Sequence, residues 1–257
     1  GGIPVPLYQD SVAEEMLYVL ENADIKFAIV QNQEQTDKLL EIKGRLPKLE
    51  YICYEEPRGM HGYKNDFLHD YKEIQEEGKI FHNENPDFFL NEIEKSKGSD
   101  VAIFLYTSGT TGNPKGVVLT FDNLIITSQN CIDFDHLSGE EQVLAYLPMA
   151  WVGDNLFSFA QAYVAGFCVN CPESPETVMT DLKEIGPTYY FAPPAIYESV
   201  LTKVMIRMED ASKIKRSMFN YFMELAKNVG IRILDGKNVS IAERALYSLG
   251  YLLVYGP

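Results

Sequence analysis

Val101-Ala102-Ile103-Phe104-Leu105-Tyr106-Thr107-Ser108-Gly109-Thr110-Thr111-Gly112-Asn113-Pro114-Lys115-Gly116-Val117-Val118-Leu119 is the stretch on which the reading of this chain turns. The apolar run from Val101 to Leu105 reads as a buried strand that feeds a tight loop, and Val117 to Leu119 supplies the strand that follows. Gly109, Gly112 and Gly116 let the backbone turn sharply and bring N–H groups close to an anion. The hydroxyls of Thr107, Ser108, Thr110 and Thr111 add donors, and Lys115 adds a positive charge. Chemically this is a cradle for a polyphosphate. It is not a Walker A loop, because Pro114 stands five residues after Gly109 and Gly116, rather than Ser or Thr, follows Lys115. The dinucleotide pattern G-x-G-x-x-G is absent as well. The length of the pattern and its strand context weigh against an ordinary Ser/Thr/Gly surface loop.

Outward from this loop the chain alternates helix and strand, which predicts an α/β architecture with parallel pairing. Ser11-Val12-Ala13-Glu14 has the form of a capping box, and Val12, Met16, Val19 and Ala23 continue one helical face. Phe27 to Val30 reads as a strand, Glu34 to Lys43 as a polar helix and Tyr51 to Tyr54 as another strand. Glu55 to Gly98 breaks the rhythm with charge, Asn and Gly and reads as a surface excursion, amphipathic around Asp66 to Gln75 and Pro86 to Lys95. Phe121 to Asn130 reads as a helix. Ala165 to Val169 reads as a buried strand, and Ser174-Pro175 as the cap and first turn of a helix ending before Gly186. Ile214, Met218, Phe222, Leu225 and Val229 form an amphipathic stripe terminated by Gly230. Core packing is the expected role of that stripe, with an acyl tunnel or a bilayer surface as the alternatives. Ser240-Ile241-Ala242-Glu243 opens a last helix before the apolar run Ala245 to Val254.

Composition bounds the function. With 46% apolar and 23% charged residues over 257 positions, the chain is a folded globular piece rather than a disordered or fibrous one. A formal charge of −15 argues against nucleic acid or an anionic membrane as a general electrostatic partner. It also means that an anionic substrate must be held by local donors. No apolar run reaches the length of about eighteen residues expected of a spanning helix. The four cysteines, Cys53, Cys131, Cys168 and Cys171, are too sparse for a disulfide framework. Cys168-Val169-Asn170-Cys171 has C-x-x-C spacing but no second ligand pair, so buried structural cysteines are expected. His61, His69, His82 and His136 lie in polar stretches and read as solvated.

Position for position, Tyr106 to Gly116 resembles the phosphate-binding signature of the adenylate-forming superfamily. Gly1-Gly2-Ile3-Pro4-Val5-Pro6-Leu7-Tyr8 is similar to that superfamily's earlier Gly-x-x-x-x-Pro-Leu segment. Leu147-Pro148-Met149-Ala150-Trp151 is similar to its Leu-Pro-x-x-His segment. Gly186-Pro187-Thr188-Tyr189-Tyr190-Phe191-Ala192-Pro193-Pro194 resembles the strand and turn that follow in long-chain acyl-CoA synthetases. The four segments fall in the family's order and cover essentially the whole chain. Two positions depart from the pattern: Trp151 stands in place of the usual histidine, and Ala195 where related long-chain enzymes often carry arginine. An indole can wall an apolar tunnel but cannot titrate, so proton chemistry is not expected at Trp151.

The resemblance implies that residues 1–257 are part of the large N-terminal AMP-binding domain, a layered helix–sheet α/β fold incomplete at its C-terminal end. Family members continue with a Tyr-Gly-x-Thr-Glu segment, an Arg-Thr-Gly-Asp segment and a small C-terminal domain carrying a catalytic lysine. The implied activity is that of a long-chain fatty acid–CoA ligase using ATP, Mg²⁺ and coenzyme A. Thr107, Ser108, Gly109, Thr110, Thr111, Gly112, Lys115 and Gly116 would hold the nucleotide phosphates. Thr107 would be the Mg²⁺ contact, Lys115 and Thr107 the catalytic pair, and Trp151 part of the acyl pocket. A cytoplasmic enzyme of small-molecule substrates is implied, with no protein partner, and peripheral contact with the inner membrane face is compatible with it. The same loop serves aryl and amino acid adenylation domains, and a non-catalytic nucleotide-binding module is the alternative outside enzymes.

Overall fold

A computed structural model describes residues 1–107 and 112–255 and divides the chain into two units, 1–190 and 191–257. In the first unit, helix α1 (Ala13–Asn22), strand β1 (Phe27–Val30), helix α2 (Gln33–Ile42), strand β2 (Tyr51–Tyr54) and strand β3 (Leu68–Asp70) form one layer pair. The strands run parallel in the order β1-β2-β3, with Ile52 opposite both Ala28 and Leu68. Met16, Leu17, Leu20, Leu39, Ile42 and Ile52 make up its buried core with their neighbours. The opposite face of the sheet carries Phe27, Ile29 and Tyr51 in the open, Phe27 stacked on Tyr51 with ring centroids 5.4 Å apart.

The first helix differs from its predicted start by one residue. Its N-terminal flank is Val12, whose N–H donates to the Glu15 carboxylate at 3.3 Å, while the Ser11 N–H turns back to the Tyr8 carbonyl. Val12 is consequently exposed, and Met16, Leu17 and Leu20 make the inward face. Helix α2 starts from Asn32, whose side chain accepts the Gln35 N–H at 3.2 Å, so the polar pattern from Glu34 begins just inside the helix.

The stretch Glu55 to Gly98 is more ordered than its composition predicts. It contributes β3 to the sheet, then helices α3 (Tyr71–Glu84) and α4 (Phe88–Glu94), neither with a buried residue. Asp70 caps α3 by accepting the Lys72 N–H at 2.8 Å. His69, expected to be solvated, is half-buried against Tyr51, and its Nε2 is buried with no hydrogen-bond partner among the described residues.

Strands β4 (Val101–Thr107) and β5 (Lys115–Thr120) depart from the expected parallel pairing: they form an antiparallel hairpin. The physical reason is length. The link between them is residues 108–114, whereas a parallel crossover needs about a dozen residues or more. Helix α5 (Phe121–Asp135) follows directly, capped by Thr120 and Asn123. Strands β6 (Gln142–Leu144) and β7 (Cys168–Asn170) pair in parallel, with Tyr189 joining Val143 in a single bridge. Between them lie helix α6 (Val152–Asp154), a π-helical turn over Asn155–Ala160 and helix α7 (Gln161–Ala165). Cys168 and Cys171 are exposed rather than buried, because the strand here is only three residues long and begins at Cys168. No cluster of metal-ligating side chains occurs among the described residues. Helix α8 (Val178–Ile185) ends at Gly186 as predicted but starts after Thr177, since Ser174 to Thr177 form a turn held by the Thr177 hydroxyl.

The second unit consists of helices α9 (Pro194–Glu209), α10 (Lys213–Leu234) and α11 (Ile241–Gly250), followed by a π-helical turn over Tyr251–Tyr255. Gly230 does not terminate α10. A Cβ there would lie 3.6 Å from the Tyr247 ring, an ordinary contact, and the helix instead ends at Gly236, whose φ is +65°. The expected core stripe is divided: Phe222 and Val229 are buried, together with Phe219 outside the stripe, whereas Ile214 is 82% exposed. Ser240 and Glu243 form the predicted reciprocal cap of α11. The Arg232 guanidinium beside Glu243 holds that carboxyl down at about 2.

Candidate functional site

The β4–β5 hairpin positions the two ends of the cradle. β-branched and aromatic residues drive the strands, and their register places Thr107 directly opposite Lys115 and Tyr106 opposite Gly116. Thr107 and Lys115 are exposed, and the Thr107 hydroxyl reaches the Lys115 carbonyl at 3.5 Å. Ser108, Gly109, Thr110 and Thr111 lie outside the described residues. Gly112, just beyond them, has φ +133°, a conformation that L side chains rarely adopt.

The reverse face of the strand fixes the hairpin in the fold. The Tyr106 hydroxyl donates to Asn22 Oδ1 at 2.6 Å, tying β4 to the last residue of α1, and burial raises the Tyr106 phenol above its usual range. The Phe104 N–H donates to the Pro4 carbonyl at 3.0 Å, so the Gly1–Tyr8 segment is tied to strand β4, which leads into the candidate loop. Gly116 is needed for packing rather than for turning: a Cβ on it would stand 2.5 Å from the Phe104 ring. Helix α5 is likewise drawn in by a glycine, since a Cβ on Gly98 would stand 1.9 Å from the Asp122 carboxylate.

Trp151 belongs to a different element, the loop from β6 into α6, and is half-buried. Asn155 Nδ2 donates to the carbonyls of Met149 at 2.6 Å and Trp151 at 3.1 Å, while the Trp151 N–H closes on the Pro148 carbonyl. The indole lies over Gly153, where a Cβ would sit 2.2 Å from the ring. Gly153→Ala is therefore expected to push the indole aside at a cost of about 1–3 kcal/mol. The chain has a single tryptophan, so its fluorescence reports this directly. An emission spectrum unchanged from wild type would refute the packing.

Next to this loop, Asp154 is buried and accepts the Ser158 hydroxyl at 2.9 Å. Burial raises its carboxyl, against the opposing pull of that hydrogen bond. An acid raised in the folded state binds its proton more tightly there than in the unfolded chain. Stability from the neutral form is complete below the unfolded value near 3.9 and is lost as pH rises through the folded one. Asp154→Asn keeps an acceptor for Ser158 without the buried charge. It is expected to resist urea better than wild type at pH 7, with the gain shrinking toward pH 4. A variant weaker than wild type at pH 7 would show that the charge is compensated. Sequence reading missed Asp154, because its burial beside a π-helical turn exists only in the fold. It also missed Tyr189, whose phenol burial and the Asp135 carboxylate push up to about 12.

A groove of about 480 Å³ runs between Ile3–Gln9 and β1, walled mainly by apolar side chains such as Leu7, Phe27 and Ile29, and none of its lining residues belongs to the hairpin. The groove and the candidate phosphate hairpin are therefore separate features. At the hairpin mouth the pairing sets a hydroxyl residue, Thr107, opposite a cationic one, Lys115, with the glycine-permitted backbone of Gly112 close by in sequence, residue types that suit a polyphosphate and its hard cation.

The profile of AMP-binding enzymes matches residues 1–245. The chain belongs to the AMP-binding enzyme family. It is 29% identical over 244 residues to the long-chain-fatty-acid–CoA ligase ACSBG2 of Homo sapiens, covering 92% of this chain and 35% of that protein. The ACSBG2 of Xenopus laevis is also 29% identical, over 264 residues, covering 99% of this chain and 34% of the relative. The chain thus spans about a third of the length of these relatives. Among solved structures, the anthranilate CoA ligase AuaEII in complex with anthranoyl-AMP superposes with a TM-score of 0.57 at 20% identity, over 74% of this chain and 35% of that one. ATP-bound MatB from Rhodopseudomonas palustris gives a TM-score of 0.54 at 18% identity, over 78% and 36%. The fold is that of the N-terminal domain of adenylate-forming enzymes, as expected from the four sequence segments.

Proposed function

We propose that residues 1–257 are part of the large N-terminal domain of an ATP-dependent long-chain fatty acid–CoA ligase. The observation that carries this reading is the pairing of Thr107 with Lys115 across the hairpin mouth, at the ends of a loop with the family's phosphate-binding pattern. The likeness to the ACSBG2 ligases supports the fatty acid as substrate.

In this reading a fatty carboxylate attacks the α-phosphorus of ATP, giving acyl-AMP and pyrophosphate, and the coenzyme A thiol then displaces AMP to form the thioester. The difficulty is electrostatic, because an anion must approach a polyanion. The family's loop pattern supplies backbone N–H groups and the hydroxyls of Thr107, Ser108, Thr110 and Thr111 as donors for the β and γ phosphates, which lowers that barrier. Glycine at positions 109 and 112 permits the close backbone approach. Lys115 offsets charge on the departing pyrophosphate. Mg²⁺, held with the help of the Thr107 hydroxyl, supplies further charge neutralisation when bound. Trp151 walls the acyl pocket and excludes water without exchanging a proton.

Acid-dependent ATP–pyrophosphate exchange by the complete protein tests the substrate class. Palmitate is expected to drive exchange more strongly than acetate, benzoate or an amino acid. Faster exchange with any of the three would move the protein to a short-chain, aryl or amino acid branch.

A further inference from the structure

The segment between β3 and β4 leaves six large apolar side chains in the open. Ile80 and Phe81 on α3, and Phe88, Phe89, Leu90 and Ile93 on α4, are between 46% and 64% exposed. The two sets join where the Phe81 and Phe88 rings meet edge to face, centroids 5.0 Å apart, across the corner between the helices. Asn85 holds that corner: its N–H and its Nδ2 both donate to the Phe81 carbonyl, at 2.9 and 3.1 Å, and its own carbonyl accepts the Phe88 N–H at 3.1 Å. The surface is therefore fixed before any partner arrives. An exposed apolar patch on the order of several hundred Å² on a folded protein marks a contact site.

The rim of the patch decides what it takes. Residues 71–95 carry seven acidic residues against three lysines. Lys79 and Lys95 are paired with Glu76 and Glu92, whereas Glu77, Glu84 and Glu94 take part in no ion pair among the described residues. Helical spacing sets these three carboxylates beside the apolar side chains: Glu77 lies three and four residues before Ile80 and Phe81, Glu84 four and three after them, and Glu94 four after Leu90. A second copy of this face would bring like charge against like, and the phosphates of a nucleic acid or of an acidic bilayer would be repelled as well. A helix with apolar side chains on one face and Lys or Arg along its edges meets both demands. Its stripe covers the Phe, Ile and Leu side chains, and its cations answer the carboxylates that the hairpin leaves unpaired.

We propose that the α3–α4 hairpin is a docking surface for a cationic amphipathic helix of a partner protein, with Ile80, Phe81, Phe88 and Ile93 under its apolar face and Glu77, Glu84 and Glu94 paired to its cations. The surface shares no residue with the β4–β5 hairpin, so it stands apart from the activity proposed above. The test is fluorescence anisotropy of the complete protein with a labelled peptide of leucine and lysine that carries leucine at i, i+3, i+4 and i+7. Saturable binding that weakens with salt is expected, and none to a peptide of the same composition whose leucines are scrambled off one face. Glu77→Gln, Glu84→Gln and Glu94→Gln together are expected to weaken binding by about twofold to fivefold per carboxylate, on the order of tenfold to a hundredfold in all. Phe81→Ser with Phe88→Ser and Ile93→Ser is expected to abolish it while helical circular dichroism stays unchanged. The Gln changes remove charge and leave packing alone, so they keep the test decisive should the Ser variant misfold. Equal binding of the scrambled peptide, no binding of the amphipathic one, or full binding by the triple Gln variant would overturn the proposal. So would self-association of the protein, or its sedimentation with phosphatidylglycerol vesicles, if the Ser variant loses it, because the face would then belong to a second copy or to a bilayer.

Discussion

Lys115→Ala in the complete protein is expected to lower acid-dependent ATP–pyrophosphate exchange about a hundredfold, the consequence of losing about 3 kcal/mol of transition-state stabilisation. The figure is large for one exposed side chain because its charge is required only as pyrophosphate departs, so the loss should fall on kcat more than on KM. Register supports this expectation. Lys115 is the first residue of β5 and is paired with Thr107, so its backbone position is set by the whole ladder up to Val101 and Thr120. The same exposure means that folding is barely affected, within about 0.5 kcal/mol. Urea denaturation alongside the exchange assay separates the two effects. Undiminished exchange at full stability would remove Lys115 from the chemistry, and equal losses in exchange and stability would make its role structural.

What could be read from the sequence, and what could not, divides along the range of the interactions involved. Phe27–Val30 and Tyr51–Tyr54 were legible as strands because a short apolar run between turn residues has few other uses. The Ser240–Glu243 cap was legible because both halves of the box lie within four residues. Strand β3 was not, since Leu68-His69-Asp70 has no alternation and becomes a strand only through pairing with β2. Gly230 misled because a glycine marks a helix end only where left-handed backbone is required, and here the position faces Tyr247 instead. In the site, the cradle's residue types were visible, but the roles of Gly116 and Gly153 were not. Each accommodates an aromatic ring, Phe104 and Trp151, and that is a property of packing rather than of local pattern.

Ile52→Ala is expected to destabilise the first unit by about 2–5 kcal/mol, while Ile29→Ala, on the adjacent strand of the same sheet, should cost less than about 0.5 kcal/mol. The two side chains are chemically identical and differ in the face they occupy. Ile52 is 0% exposed, between Ala28 and Leu68 and over the helices, and its N–H donates to the Phe67 carbonyl at 2.8 Å. Truncating it removes buried methylenes and leaves a cavity that the surrounding Ile42 and Leu49, themselves nearly inaccessible, have little freedom to fill. Ile29 is 70% exposed, so truncation there removes surface that water already reaches. Urea midpoints of the two variants decide between one packed face and two. Equal losses would mean that the face bearing Phe27, Ile29 and Tyr51 is covered in solution. A large loss for Ile52 alone would leave the α1 and α2 side as the sole support of the sheet. Because the Tyr106–Asn22 hydrogen bond ties β4 to α1, loosening that support would also be felt at the hairpin that presents Thr107 and Lys115.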